Sequence, residues 1–408
     1  MSNITASAGA EPAPVGPPSS VAITSSTFVA RFRRRSLVFL GVAVAGVGFA
    51  MTLQLGLNAS FVGQEMHLSG QQQGILEAFR ESCGITALLI LALLAGVAEP
   101  LIGAAALVFL AAGLGAYSVV PSFRWLILTS LIWSQGLHIW MPLPNSMALS
   151  LSEPGRSGRR LGQISAAGAA GSAAGLVLAL VLHAGGVPIR PLWLLAGAAA
   201  LLAAGACLAI PRGIRAPRPR LVVRRRYATY YMLCLLEGWR KQIFIAFAGF
   251  LLVKVYGTSL STMLVLWLIT QAIGWFSSPL VGRLIDRFGE RRVLMAYYAS
   301  MAVVFVGYIF LHNIHLLHAL FVVDGAFFVM SMALTTYVGK IAPPEERTPT
   351  LSLGVAMNHV AAVSMPLLGG ILWTHVGYQW TFAAGALAAA ASILAVFFIP
   401  AKRTVSPV

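Results

Sequence analysis

The sequence predicts an all-α membrane protein of twelve transmembrane helices in two pseudo-symmetric six-helix halves. Three observations predict it. Hydrophobic residues fill 58% of the 408 positions and charged residues only 10%, against about half and a quarter in soluble domains. The apolar runs are long enough to cross about 30 Å of hydrocarbon as helices. They lack the period-2 alternation of barrel strands. Finally, a basic, proline-bearing stretch at 211–226 divides the runs six and six.

Residues 1–30 are rich in Ala, Ser and Pro and carry no Lys or Arg. A signal peptide needs a basic start and an apolar core, so this stretch reads as a disordered cytoplasmic tail. The first half, 31–210, holds spans at about 36–57, 71–96, 101–119, 125–148, 161–183 and 191–210. The linker follows at 211–226. The second half, 227–400, holds spans at about 227–253, 260–281, 293–311, 316–338, 350–373 and 379–399, and 401–408 is a short tail. Glu77, Arg80 and Glu81 interrupt the second span.

The net charge of +16 raises the question of nucleic acid, and its placement answers it. With the N-terminus in the cytoplasm, the inner segments hold Arg31, Arg33, Arg34, Arg35, Arg156, Arg159 and Arg160. They also hold seven arginines of the linker and the clusters around Arg283, Arg291 and Arg347, leaving Arg124, Arg190 and Lys254 outside. This is the positive-inside pattern of a multi-pass protein of a plasma membrane, here a bacterial inner membrane, with both termini cytoplasmic. Anionic headgroups account for the basic loops without any nucleic-acid partner. Cys83, Cys207 and Cys234 sit singly in apolar runs, with no metal or redox spacing. No metal or cofactor is expected.

After span eight comes Gly282-Arg283-Leu284-Ile285-Asp286-Arg287-Phe288-Gly289-Glu290-Arg291-Arg292. Gly282 and Gly289 suit a tight turn between helices. Asp286 suits a helix N-terminus, and Arg287, Arg291 and Arg292 suit carboxylates or phosphates. The loop resembles the GxxxDRxGxRR motif of the major facilitator superfamily, and the resemblance extends over about 31–400. The halves also repeat: Arg156 precedes Leu161-Gly162 as Arg347 precedes Leu353-Gly354. Parallel six-helix halves are a known transporter plan. The first-half loop, Ala95-Gly96-Val97-Ala98-Glu99-Pro100, lacks the motif. Span five carries Gly168, Gly171 and Gly175 but no GPxxGG, the antiporter motif of drug exporters.

The resemblance implies that spans 1, 4, 7 and 10 line a central cavity and that 3, 6, 9 and 12 face lipid. Charge placement agrees, because the latter four carry no charged residue in their interiors and intramembrane charges face a cavity or a partner. In span seven, Glu237, Arg240 and Lys241 share a face near mid-membrane. They read either as an anion-binding pair of cations balanced by an acid, or as an ion pair that sets packing, with Asp324 of span ten as a possible partner. Glu77, Arg80 and Glu81 of span two read as a proton-coupling acid pair or as a gate near the outer face. The run Leu76-Glu77-Ala78-Phe79-Arg80 looks like Leu236-Glu237-Gly238-Trp239-Arg240, in non-equivalent spans. Asp324 reads as a lone carboxylate and proton site. Gln135 and His138 of span four, and Asn358 and His359 of span eleven, are polar candidates. Gln54 and Asn58 are possible contacts, and for a single histidine packing is the plainer role.

Charges of both signs suit a small polar or anionic organic solute. Acids and histidines without an oxygen-ligand motif favour protons over sodium. The expected function is therefore a monomeric, proton-coupled secondary active transporter working by alternating access, with small-molecule solute, protons and lipid bilayer as partners. Efflux of drugs or toxic metabolites is the alternative, disfavoured by the missing GPxxGG. A transporter-like sensor is a remote one. No nucleophile–base set marks an enzyme.

Overall fold

A computed structural model describes residues 20–153, 156–215 and 224–399. Residues 1–19, the linker at 216–223 and the tail at 401–408 lie outside these described residues. The first half contains α1 (Ser20–Ser60), α2 (Gly70–Leu93), α3 (Glu99–Ala116), α4 (Phe123–Trp140), α5 (Leu143–Ser150), α6 (Ser157–Ala184) and α7 (Ile189–Leu208). The second contains α8 (Ala228–Ile243), α9 (Gly249–Lys254), α10 (Leu260–Phe288), α11 (Glu290–Phe310), α12 (Ile314–Phe327), α13 (Met332–Ile341), α14 (Pro344–His375) and α15 (Tyr378–Val396). The 41 residues of α1 run about 60 Å at 1.5 Å per residue, twice the hydrocarbon thickness. Residues 20–30, expected in a disordered tail, are thus part of the first helix.

Among the described residues, ten helical stretches are long and apolar enough to cross a membrane. The second and seventh predicted spans do not qualify. One carries Glu77, Arg80 and Glu81, and the other carries Glu237, Arg240 and Lys241 and is broken after α8. Both are shielded by neighbours. Helix α2 packs between α4 and α14, and α8 packs between α14 and α15, so their charges need not meet lipid.

The two halves pack alike. In the first, α1 contacts α6 and α7, and α3 contacts α4 and α7; in the second, α8 contacts α14 and α15, and α11 contacts α12 and α15. Each half has its own apolar core. The glycines of span five are packing residues of the first half. A Cβ on Gly171 would stand 1.9 Å from the carbonyl oxygen of Ala45 in α1, so the two backbones meet directly, as small residues allow between membrane helices.

Apart from the 3₁₀ turn Tyr117–Val119 that ends α3 in span three, the irregular turns described fall in four spans. A π-helical turn, Phe61–Glu65, extends α1. Span four breaks between α4 and α5, where Pro142 and Pro144 have no amide hydrogen for the preceding turn. A second π-helical turn, Phe244–Ala248, separates α8 from α9. A 3₁₀ turn, Phe328–Ser331, separates α12 from α13. These are spans 1, 4, 7 and 10, the ones expected around a cavity. Backbone irregularity inside a membrane is tolerated where protein or a cavity surrounds it.

The halves meet through α2 with α14, α6 with α10, and α1 with α10 and α9. At the end away from the basic loops, Gln64 Nε2 donates to the Thr258 carbonyl at 3.3 Å and the Gln71 amide donates to Thr374 Oγ1 at 2.9 Å. A Cβ on Gly74 would lie 2.1 Å from the Pro366 carbonyl oxygen, so this end is tightly closed. At the basic end, the ion pairs Arg33–Glu153, Arg226–Glu346 and Lys340–Glu290 each lie within one half. The loop motif sits here. Gly289, at φ 81°, is the single residue between α10 and α11, a conformation that favours glycine. Arg287 and Arg291 lie over the rings of Phe288 and Phe397 at 5.1 and 5.3 Å.

Candidate functional site

A cavity of about 190 Å³ lies between the halves. Spans 1, 2 and 4 line it from the first half, and spans 7, 8, 10 and 11 from the second. Helices α3, α7, α11 and α15 contribute nothing to its wall. Instead, Leu202, Val303, Phe310, Leu387 and Leu394 on α7, α11 and α15 are each more than half exposed, as lipid-facing side chains are.

The first-half wall is built on Arg80. Its guanidinium pairs with Glu77, donates to Asn58 Oδ1 at 2.8 Å and to the Tyr117 hydroxyl at 2.9 Å, and stacks 5.1 Å from the Trp133 ring. Gln73 Nε2 ties Glu77 Oε1, at 3.2 Å, to the Ala246 carbonyl across the seam, at 2.9 Å. The π-helical turn Phe244–Ala248 contains that carbonyl. Glu77 and Arg80 line the cavity while only 3% exposed. Both are thus buried at the cavity wall and not exposed at the outer face.

One turn on, Glu81 reaches the second half. His359 Nδ1 lies 3.1 Å from Glu81 Oε2, and the ring of His138 stands edge-on to His359 at 5.0 Å. His138 Nδ1 bonds the Ser134 carbonyl at 2.8 Å. Lys241 enters from α8 and donates to Asn358 Oδ1 at 3.0 Å. A second cavity of about 260 Å³ lies on the basic side, between α2 and α14. His138 and His359 line both cavities, so the histidine pair stands on their shared wall. The opposite wall is aromatic: Phe244, Trp267 and Phe321 pack mutually at 5.1–6.0 Å.

The seventh-span cluster is divided. Lys241 faces the cavity, but Glu237 and Arg240 do not. Arg240 donates to Glu237 Oε1 at 2.8 Å, Asp324 Oδ1 at 3.3 Å and the Tyr297 hydroxyl at 2.5 Å. Tyr297 in turn donates to Glu237 at 2.9 Å. Of the two expectations for Asp324, a lone carboxylate or a partner of the span-seven cations, the structure has the second: it pairs with Arg240 and is only 1% exposed. The cluster is buried inside the second half and away from the cavity wall, with Asp324 Oδ2 left without a hydrogen-bond partner. The likeness of Leu76–Arg80 to Leu236–Arg240 has structural content: in both, a glutamate pairs with an arginine three residues later, and that arginine donates to a tyrosine hydroxyl from a neighbouring span.

Other candidates are peripheral. Gln135 accepts from Thr86 Oγ1 at 2.6 Å and is not part of the cavity wall. Asn358 acts through Lys241. Gln54 and Asn58 do line the cavity. The residues that sequence reasoning missed are Gln73, Tyr117, Ser134 and Tyr297. Two are tyrosines on spans three and nine, which show no charge and so carried no signal.

Residues 235–408 match the family model of the Major Facilitator Superfamily. No curated protein matches the chain. Solved structures similar in fold include a bacterial homologue of the human lysosomal transporter Spinster, inward-facing and occupied, at TM-score 0.74 and 14% identity, covering 90% of this chain and 97% of that one. A variant of the nucleoside transporter NupG aligns at TM-score 0.74 and 14% identity, covering 89% and 99%. A D-xylose–proton symporter aligns at TM-score 0.69 and 14% identity, covering 91% and 98%. At these identities the likeness concerns the fold.

Proposed function

We propose that the chain, whose residues 235–408 match the Major Facilitator Superfamily model, is a proton-coupled secondary active transporter of a small, polar or anionic organic solute, working by alternating access. One observation carries this reading: a cavity sealed at one end takes charged groups from both halves, Glu77, Arg80, Glu81 and His138 from one and Lys241 and His359 from the other. A solute bound there touches both halves, so its binding free energy can bias their relative motion. The positive-inside pattern of the basic loops supports a cytoplasmic basic end in a bacterial inner membrane.

Lys241 is the anchor for an anionic group. Its ammonium has a neutral amide partner, Asn358, and it faces the cavity. The aromatic wall of Phe244, Trp267 and Phe321 takes the apolar part of the solute. We assign the coupling proton to Glu77. The groups facing it are Arg80 and Glu81 on its own helix, Gln73, and the Tyr117 hydroxyl behind Arg80. A proton on Glu77 cancels its pairing with Arg80 and leaves the guanidinium as a second cation for the solute.

The test is uptake by proteoliposomes of a panel of organic acids, amino acids and vitamins, with and without an imposed pH gradient. We expect saturable accumulation that collapses with the gradient. Accumulation indifferent to the gradient overturns the coupling, and no uptake of any panel member overturns the solute class. Glu77→Gln is expected to exchange solute down its gradient but not to concentrate it.

A further inference from the structure

Glu81, His138 and His359 come from α2, α4 and α14, and no sequence spacing connects them. In the fold they place one carboxylate oxygen and two imidazole nitrogens within 4.8 Å of one another. We infer that these three side chains form a binding site for a divalent transition metal of the zinc type, spanning the two halves. The inference goes beyond the transport reading and does not rest on it.

The donor set fits the ion. Two histidines and one glutamate form a known three-ligand set for Zn²⁺, with the fourth position left to water or an exogenous ligand. Here the fourth position opens on the central cavity. One second-shell bond, that of His138, is also in place. A metal-binding imidazole usually spends its other nitrogen on a carbonyl or carboxylate, which fixes the ring. His138 Nδ1 does this at the Ser134 carbonyl, 2.8 Å away, leaving Nε2 for the metal. Tetrahedral ligand atoms at about 2.0–2.1 Å from zinc stand about 3.3–3.5 Å apart. Glu81 and His359 are already 3.1 Å apart, so the closing movement falls to His138.

Charge sets the limit on affinity. The Glu77–Arg80 pair beside the site is neutral in sum, and Glu81 supplies the one negative ligand. Lys241 is the opposing cation, close enough to act electrostatically on both Glu81 and His138. Removing its charge should therefore tighten metal binding, which an adventitious surface site would not show. Two ligands belong to the first half and one to the second, so a bound ion ties the halves together at the wall between the two cavities. It holds the arrangement that is closed at the end away from the basic loops.

The experiment uses the full chain purified in detergent without metal. Zn²⁺ binding is read by titration calorimetry and Co²⁺ binding by its visible absorption. We expect one equivalent and a four-coordinate Co²⁺ spectrum. Replacement of His138 or His359 by Ala should weaken binding at least tenfold, and Lys241→Gln should strengthen it. His138→Gln and His359→Gln, checked by gel filtration, separate loss of a ligand from loss of fold. Binding that is not saturable overturns the inference. So does binding unchanged in the His359 variants, or abolished only by changing His315 and His318, whose rings lie 6.4 Å apart elsewhere. Solute uptake measured in chelator tests the transport reading separately, and either result there leaves the metal titration standing on its own.

Discussion

Arg80 and Arg240 are built alike and used differently. Each follows a glutamate by three residues, each pairs with it, and each donates to a tyrosine hydroxyl. Arg80 borders the central cavity, with Asn58 and Trp133 beside it. Arg240 instead pairs with a second carboxylate, Asp324, and does not line the cavity. The difference teaches that a mid-membrane charge cluster is not by itself a binding site. Where protein groups already neutralise the cation, it holds helices together; where a face stays open, it can exchange a protein partner for a solute. In the second half the cavity-facing cation is Lys241, one residue beyond Arg240 on the same helix.

The largest expected effect lies in the sealed cluster. Arg240→Met leaves Glu237 and Asp324 buried without their cation, and breaking such a pair costs about 3–5 kcal/mol. Chemical denaturation should show it as a loss of stability. Neutralising all three, with Glu237→Gln and Asp324→Asn added, should recover most of that loss and keep uptake. A triple variant that is stable yet inactive breaks the comparison, because it makes the sealed cluster part of transport.

Next comes Lys241→Gln. We expect at least a tenfold rise in the half-saturation concentration for an anionic solute, with thermal stability near that of the parent. A smaller effect belongs to the far seam. Gly74→Ala puts a Cβ against the Pro366 carbonyl and penalises the closed end by about 1–3 kcal/mol, as overpacking does. Labelling of a cysteine introduced at Ala246 should then rise from the far side.

The smallest effect is at the basic end. A hydrogen bond from Tyr227 and another from Arg226 hold the Glu346 carboxyl below the usual carboxylate range. A group whose folded pKa is depressed adds stability above its unfolded pKa and loses it as pH falls through the folded one. The melting difference between the parent and Glu346→Gln should therefore be present near neutral pH and vanish in acid.

The fold was largely legible in the sequence, because hydropathy and loop charge are imposed locally by the bilayer. The helix breaks at Pro142 and Phe244–Ala248 were not, although the proline is visible, since packing decides where a π-helical turn forms. The site was legible as residues and not as groupings. Glu81 read with Glu77 and Arg80, His138 with Gln135 and His359 with Asn358, and their meeting depends on the contacts of α2 with α4 and α14. Asp324 and Arg240 lie 84 positions apart, and only their contact shows that the charge is satisfied. Tyr117 and Tyr297 stayed silent because charge patterns do not mark hydroxyls.

The most direct test is the uptake of an organic anion by Lys241→Gln in proteoliposomes holding as much folded protein as the parent. We expect its half-saturation concentration to rise at least tenfold while the neutralised Arg240 cluster still transports. Uptake by Lys241→Gln with the parent's half-saturation concentration would contradict the division of roles between the two clusters.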